Sequence, residues 1–108
     1  MDVTVLTVPD CPSLPLVQER LAEALSGQSR IHITHQVVTD HGQAEALGMN
    51  GSPTILVNGV DPFAEPGQTP GLACRLYRQD SKLSGAPSVA ELRAALAELT
   101  SASGAAGT

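Results

Sequence analysis

"VPDCPSLP", residues 8–15, sets one cysteine among Pro9, Pro12 and Pro15, and what flanks it decides the fold. Upstream, "DVTVLTV" (residues 2–8) is short and rich in β-branched residues, and Pro9 ends it; this pattern predicts a strand. Downstream, "SLPLVQERLAEALSG" (residues 13–27) places Leu14, Val17, Leu21, Ala24 and Leu25 at helical spacing, with Gln18, Glu19, Arg20 and Glu23 between them. Pro12 and Pro15 fit a helix only in its first turn, where the backbone N–H groups lack helical partners anyway. The helix is therefore expected to begin between Cys11 and Pro15 and to end near Gly27. Cys11 falls where a strand end meets a helix start.

The pattern continues outward. "RIHITHQVVTD" (residues 30–40) predicts a second strand, and Thr39 or Asp40 is expected to cap a helix of two turns at most. "SPTILVNG" (residues 52–59) predicts a third strand, begun by Pro53 and closed by the Asn58-Gly59 turn signal. Residues 60–73 carry Pro62, Pro66 and Pro70 and are expected to form a long loop. "CRLYR" (residues 74–78) alternates and predicts a fourth strand, paired antiparallel with the third. Ser88 and Glu91 form a capping box before a last helix whose stripe is Val89, Leu92, Leu96 and Leu99. The expected class is α/β, ordered β-α-β-α-β-β-α, a small mixed sheet with helices on both faces. The first two strands should be parallel, since a helix joins them. Residues 1–99 are expected to form one domain, and 100–108, small and uncharged, a flexible tail.

Composition narrows the function classes. The chain has 108 residues and a formal net charge of −5, from 6 Lys+Arg against 11 Asp+Glu. A nucleic-acid binder needs a basic face to displace counterions, so no nucleic acid is expected as a partner. No apolar run approaches a membrane span, and "MDVTVLTVPD" lacks a basic region ahead of an apolar stretch, so neither membrane nor signal peptide is expected. The expected compartment is the cytoplasm, where two cysteines are more often free thiols than a bridge. With no Trp, one Tyr and one Phe, the core must be built from Leu, Val, Ile and Ala.

The chemistry centres on Cys11. The amides and dipole of a helix N-terminus favour a thiolate, the reactive and metal-binding form, whereas the like charge of neighbouring Asp10 opposes it. The blander reading is a buried, inert cysteine at a strand end.

Two features carry a resemblance to the thioredoxin-like superfamily over residues 2–99. "CPSL" (residues 11–14) stands after the first strand and opens the first helix, where those proteins place Cys-x-x-Cys. "GMNGSPTILVNG" (residues 48–59) resembles their cis-proline strand. The resemblance implies that Cys11 is a surface-accessible nucleophilic thiol and Pro53 a cis-proline packed against it. It implies that the backbone of Ser52 pairs with the substrate's extended chain, with Asp10 and Thr54 flanking the site. Leu14 stands where the resolving cysteine belongs, so a dithiol mechanism cannot run through "CPSL". The resemblance then implies monothiol exchange, with no bound cofactor. Glutathione or another low-molecular-weight thiol would be co-substrate, and a small thiol or protein thiol the partner. A non-catalytic thioredoxin-like binding module is the alternative. "GSPTILVNGVDPF", "CRLYR" and "GAPSVAELRAAL" also resemble short bacterial thioredoxin-family proteins often labelled alkylmercury lyase. That likeness implies either lyase-like cleavage of a carbon–mercury bond, for which Cys11, Cys74 and Asp10 supply the residue types, or soft-metal handling by Cys11 with or without Cys74.

Cys74 is the other thiol. On a fourth strand that returns from the far end of the sheet, it would lie about 13–17 Å from Pro53. A disulfide needs Cα atoms within about 7 Å, so no direct bond to Cys11 is expected unless the loop 60–73 folds back. Cys74 itself is expected to be half-buried. His35 shares a face with Ile31, Ile33 and Val37 and is expected half-buried with a hydrogen-bond partner. His32, His35 and His41 have no zinc-ligand spacing with a cysteine. Arg75, Arg78 and Lys82 are expected to form a solvated edge, with Phe63 and Tyr77 as core or loop anchors. Ser13 and Ser52 lack the His and Asp partners of a hydrolase.

Overall fold

The structure, a computed structural model, describes residues 1–28, 30–79 and 82–106, without the side chains of 78, 79, 82 and 99–106. Ten elements follow in the order β1 (Asp2–Thr7), α1 (Leu14–Ala24), β2 (His32–Val37), α2 (His41–Leu47), β3 (Asn50–Ser52), β4 (Thr54–Val57), β5 (Gly71–Cys74), β6 (Tyr77–Gln79), β7 (Lys82–Ser84) and α3 (Val89–Ala106). This is a small mixed α/β domain with three helices. Its main sheet runs β2-β1-β4, with β1 parallel to β2 and antiparallel to β4.

Alternation along β1 assigns the two faces. Val3 and Val5 pack with Ile55 and Val57 beneath Val17 and Leu21 of α1 and Leu92 and Leu96 of α3. Leu6 points the other way and packs with Val38, Ala44 of α2 and Met49. Helices thus cover both faces, as the periodicities predict. Each of the buried Val, Leu, Ile and Met side chains contributes ~1.5–3 kcal/mol by leaving water.

Local signals set the element ends. Leu14–Ala24 begins with a proline in its first turn, within the predicted window. Asp40 caps α2 by accepting from the Gln43 N–H at 2.7 Å, and Gly48 closes it in the left-handed conformation. Asn58 and Gly59 take φ of 51° and 82°, and Val57 and Val60 exchange hydrogen bonds across them, the geometry of a tight two-residue hairpin. The capping box before α3 is reciprocal: the Glu91 N–H donates to Ser88 Oγ at 3.1 Å and the Ser88 N–H to Glu91 Oε1 at 3.3 Å. The helix backbone continues to Ala106. Leu99's side chain and residues 107–108 of the expected tail lie outside the described residues. Among those residues no helix is long and apolar enough to cross a membrane.

The second half departs from expectation. The single third strand is two strands, β3 and β4, separated by Pro53. The predicted fourth strand, 74–78, does not pair with β4. Its first part belongs to β5, which lies parallel to β3 with Ser52 opposite Cys74. Its last residues form β6, which pairs antiparallel with β7. The loop 60–73 folds back across the end of the sheet, and Gly51 lets it do so. At φ 100°, a Cβ there would stand 2.9 Å from the Ala73 carbonyl oxygen and 3.0 Å from Arg75 Cβ, so only glycine permits the close approach.

Candidate functional site

Cys11 sits in the turn between β1 and α1. Its carbonyl accepts from the Leu14 N–H at 3.2 Å, and Ser13, not Cys11, is the N-cap of α1. The thiol therefore precedes the helix instead of opening it. Asp10 beside it is exposed and left-handed, with φ 57°. Cys11 retains only 8% of its surface, so the expected surface-accessible thiol is a largely covered one. Cys74, expected half-buried, is the exposed thiol, and both cysteines are free.

The Ser52–Pro53 peptide is cis. Ser52 is 3% exposed, and its hydroxyl accepts from the Val8 N–H at 3.0 Å. That bond ties the chain three residues ahead of Cys11 to the segment carrying Pro53. The expectation of a free Ser52 backbone does not hold. Its carbonyl accepts from the Arg75 N–H at 2.9 Å, so the chain's own segment already occupies this edge. Thr54 is fully buried; its hydroxyl donates to the Gly51 carbonyl at 2.6 Å and accepts from the Asn50 N–H at 3.0 Å.

Cys74 is the second correction. The β3–β5 register puts it directly across from Ser52, where adjacent strands lie about 4.8 Å apart, and not at the far end of the sheet. Ser52, Pro53 and Cys74 thus lie together, and the Val8–Ser52 bond ties the chain leading into Cys11 to them.

Behind this corner lies a polar network that the sequence reading missed. Arg75, expected at a solvated edge, is buried. Its Nη1 donates to Asp61 Oδ2 at 2.7 Å and its Nη2 to the Phe63 carbonyl at 2.8 Å. The ion pair is nearly dry, with side chains 3% and 6% exposed. Asn50 Nδ2 donates to the same Asp61 oxygen at 3.0 Å, and the Phe63 N–H donates to Asp61 Oδ1 at 2.9 Å. The guanidinium stacks 4.6 Å from the centre of the Tyr77 ring, which meets Phe63 edge-on. The Tyr77 hydroxyl donates to the Pro53 carbonyl at 2.6 Å. Burial pushes this phenol far above its ordinary range, Arg75 pulling it down and Asp61 adding to the rise. Phe63 and Tyr77 are anchors, as expected; Arg78 and Lys82 have no described side chains. The signal available in sequence was the Arg75/Tyr77 alternation, which marks one face without saying that it turns inward.

A cavity of ≈ 400 Å³ opens beside Cys74, lined among others by Asn50, Gly51, Gln68, Pro70 and Arg75. The arginine there is already committed to Asp61. His35 is exposed and not half-buried, although its Nε2 does share a 2.7 Å hydrogen bond with Thr7 Oγ1. His41 pairs with Glu45 on the surface. Among the described residues no three His, Cys, Asp or Glu side chains gather to hold a metal ion. Comparison with known protein families, with curated proteins and with solved structures found no match.

Proposed function

We propose that the chain is a thioredoxin-like thiol protein in which Cys11 carries out monothiol–disulfide exchange. The hydrogen bond from the Val8 N–H to Ser52 Oγ carries this reading, because it holds the Cys11 turn against the Ser52–Pro53 segment. In the proposed reaction the Cys11 thiolate attacks a protein–glutathione disulfide. The Cys11–glutathione bond forms, the original S–S bond breaks, and the protein partner leaves as a thiolate. A second glutathione thiolate then attacks the mixed disulfide, releasing glutathione disulfide and restoring Cys11. With 8% of its surface open, Cys11 meets the incoming sulfur only when the turn 8–13 yields.

The test uses the folded Cys74→Ser variant, so that the exposed thiol does not compete. Incubation with glutathione disulfide should place glutathione on Cys11, and added glutathione should remove it, as read by peptide mass. If Cys11 reacts only in denaturant, the exchange reading fails and a non-catalytic binding module stands in its place.

One observation favours a second reading. Cys74 lies opposite Ser52, whose hydroxyl is bonded to Val8, three residues ahead of Cys11, and this reading has both thiolates hold one soft metal ion or organomercurial. A one-to-one mercuric complex lost equally in Cys11→Ser and Cys74→Ser supports it; a complex that survives either substitution rejects it.

A further inference from the structure

Among the described residues, strand β2 is bonded on one side only. Its even-numbered positions face β1: the His32 N–H donates to the Met1 carbonyl and the Val38 N–H to the Thr7 carbonyl, and the parallel register runs unbroken between them. The backbone groups of Ile33, His35 and Val37 therefore point to the open edge of the main sheet. Natural edge strands are usually blunted by charge, proline or a bulge. Residues 31–39, "IHITHQVVT", contain no Asp, Glu, Lys, Arg or Pro, and the pairing with β1 has no bulge. Ile33 is 52% and Val37 44% exposed. They flank His35 on the sheet face that carries α1. There a groove of ≈ 210 Å³ runs between the two elements, lined by Leu14, Gln18, Ala22 and Ile33 among others.

We propose that this edge is a homodimer seam, with β2 of one copy pairing antiparallel with β2 of another about a two-fold axis at His35. The register follows from the chain itself. Outward-facing groups must meet outward-facing groups, which sets His35 against the partner's His35 and Ile33 against the partner's Val37. All the free groups of the strand are then used, and the apolar side chains cover each other on the α1 face. Charge beyond the strand complements the pairing: antiparallel β2 strands bring Arg30, exposed and left-handed just before the strand, to the side of the partner's Asp40, exposed just after it. Moving the register by one pair sets Ile33 or Val37 against His35. The two-fold doubles the three-stranded sheet into one continuous sheet and keeps both α1 helices on one side. The seam is narrow, so the dimer should dissociate in about the micromolar range.

Sedimentation of the full chain across concentration should show a monomer–dimer equilibrium. Amide exchange of Ile33, His35 and Val37 should slow as the dimer fills. Ile33→Lys, at an exposed site that leaves the fold intact, should weaken association at least about tenfold. In the Cys74→Ser background, His35→Cys should cross-link between copies under mild oxidation, since hydrogen-bonded antiparallel pairs hold Cα atoms about 5.5 Å apart. Thr34→Cys, paired instead with the partner's Gln36, should not. A chain that stays monomeric at millimolar concentration overturns the proposal. So does a dimer indifferent to Ile33→Lys, or one that cross-links through position 34 and not 35.

Discussion

Up to Leu47 the chain packs through aliphatic side chains: Val3, Val5 and Leu6 on β1, Val17 and Leu21 on α1, Ala44 on α2. Residues 50–53 and 60–77, on either side of β4, are joined differently. There a buried carboxylate, a guanidinium and a phenol bind loop, strand and Pro53 carbonyl together. The first arrangement is non-directional and tolerates change of shape; the second depends on each partner being present. A half-made polar network in a dry setting is worse than none, because each orphaned group keeps its desolvation cost. The contrast predicts where the molecule breaks first.

The largest effect is expected from Arg75→Ala. It leaves Asp61 buried without its cation and should cost about 3–5 kcal/mol, measured by urea unfolding. Amide exchange should show the loss concentrated in residues 50–53 and 60–77. A uniform loss across the chain would mean that the two halves are one cooperative unit. Leu21→Ala, in the aliphatic half, should cost ~2–5 kcal/mol with no such localisation.

Tyr77→Phe comes next. It removes the donor to the Pro53 carbonyl and should cost about 1–2 kcal/mol. It also tests a pH dependence. The folded chain holds this phenol protonated well above its ordinary 10.0, chiefly through burial. Below that value both states carry the proton and the contribution is complete. As pH rises past 10.0, the unfolded chain ionises first and stability falls. The wild type should lose stability there more steeply than Tyr77→Phe in thermal melts, and parallel curves would refute the assignment. The smallest effect is Ser88→Ala, which opens the capping box of α3 at about 1 kcal/mol, read as a shift in the urea midpoint.

The same division marks what could be read from sequence. The helices and the first two strands were legible because 3.6- and 2-residue periodicities act locally, and because Asp40, Asn58-Gly59 and Ser88/Glu91 announce their ends. The partner of β5 was not legible. Nothing between Val60 and Ala73 says that the loop folds back to lay Cys74 against Ser52; that pairing depends on Gly51 accepting a backbone at close range. The alternation in "CRLYR" is visible, but it does not say which of its two faces turns inward. Leu76 is 59% exposed while Arg75 is 5% exposed, because an arginine with Asp61 and a tyrosine ring to meet can be buried where an unpaired one cannot. At the candidate site, the cis Ser52–Pro53 bond agrees with what the resemblance implies, whereas the covering of Cys11 and the occupied edge of Ser52 are tertiary facts without a local pattern.

The Tyr77 hydroxyl rests on the carbonyl of Pro53, and the chain has no tryptophan and no second tyrosine. Excited at wavelengths that Phe63 does not absorb, the molecule therefore emits from a single ring, set behind the Ser52–Pro53 segment. A disulfide adduct, a bound heavy ion or a displaced β5 would each alter that light in its own way. The molecule carries a built-in lamp for testing the chemistry proposed for it, readable in a cuvette without any added dye.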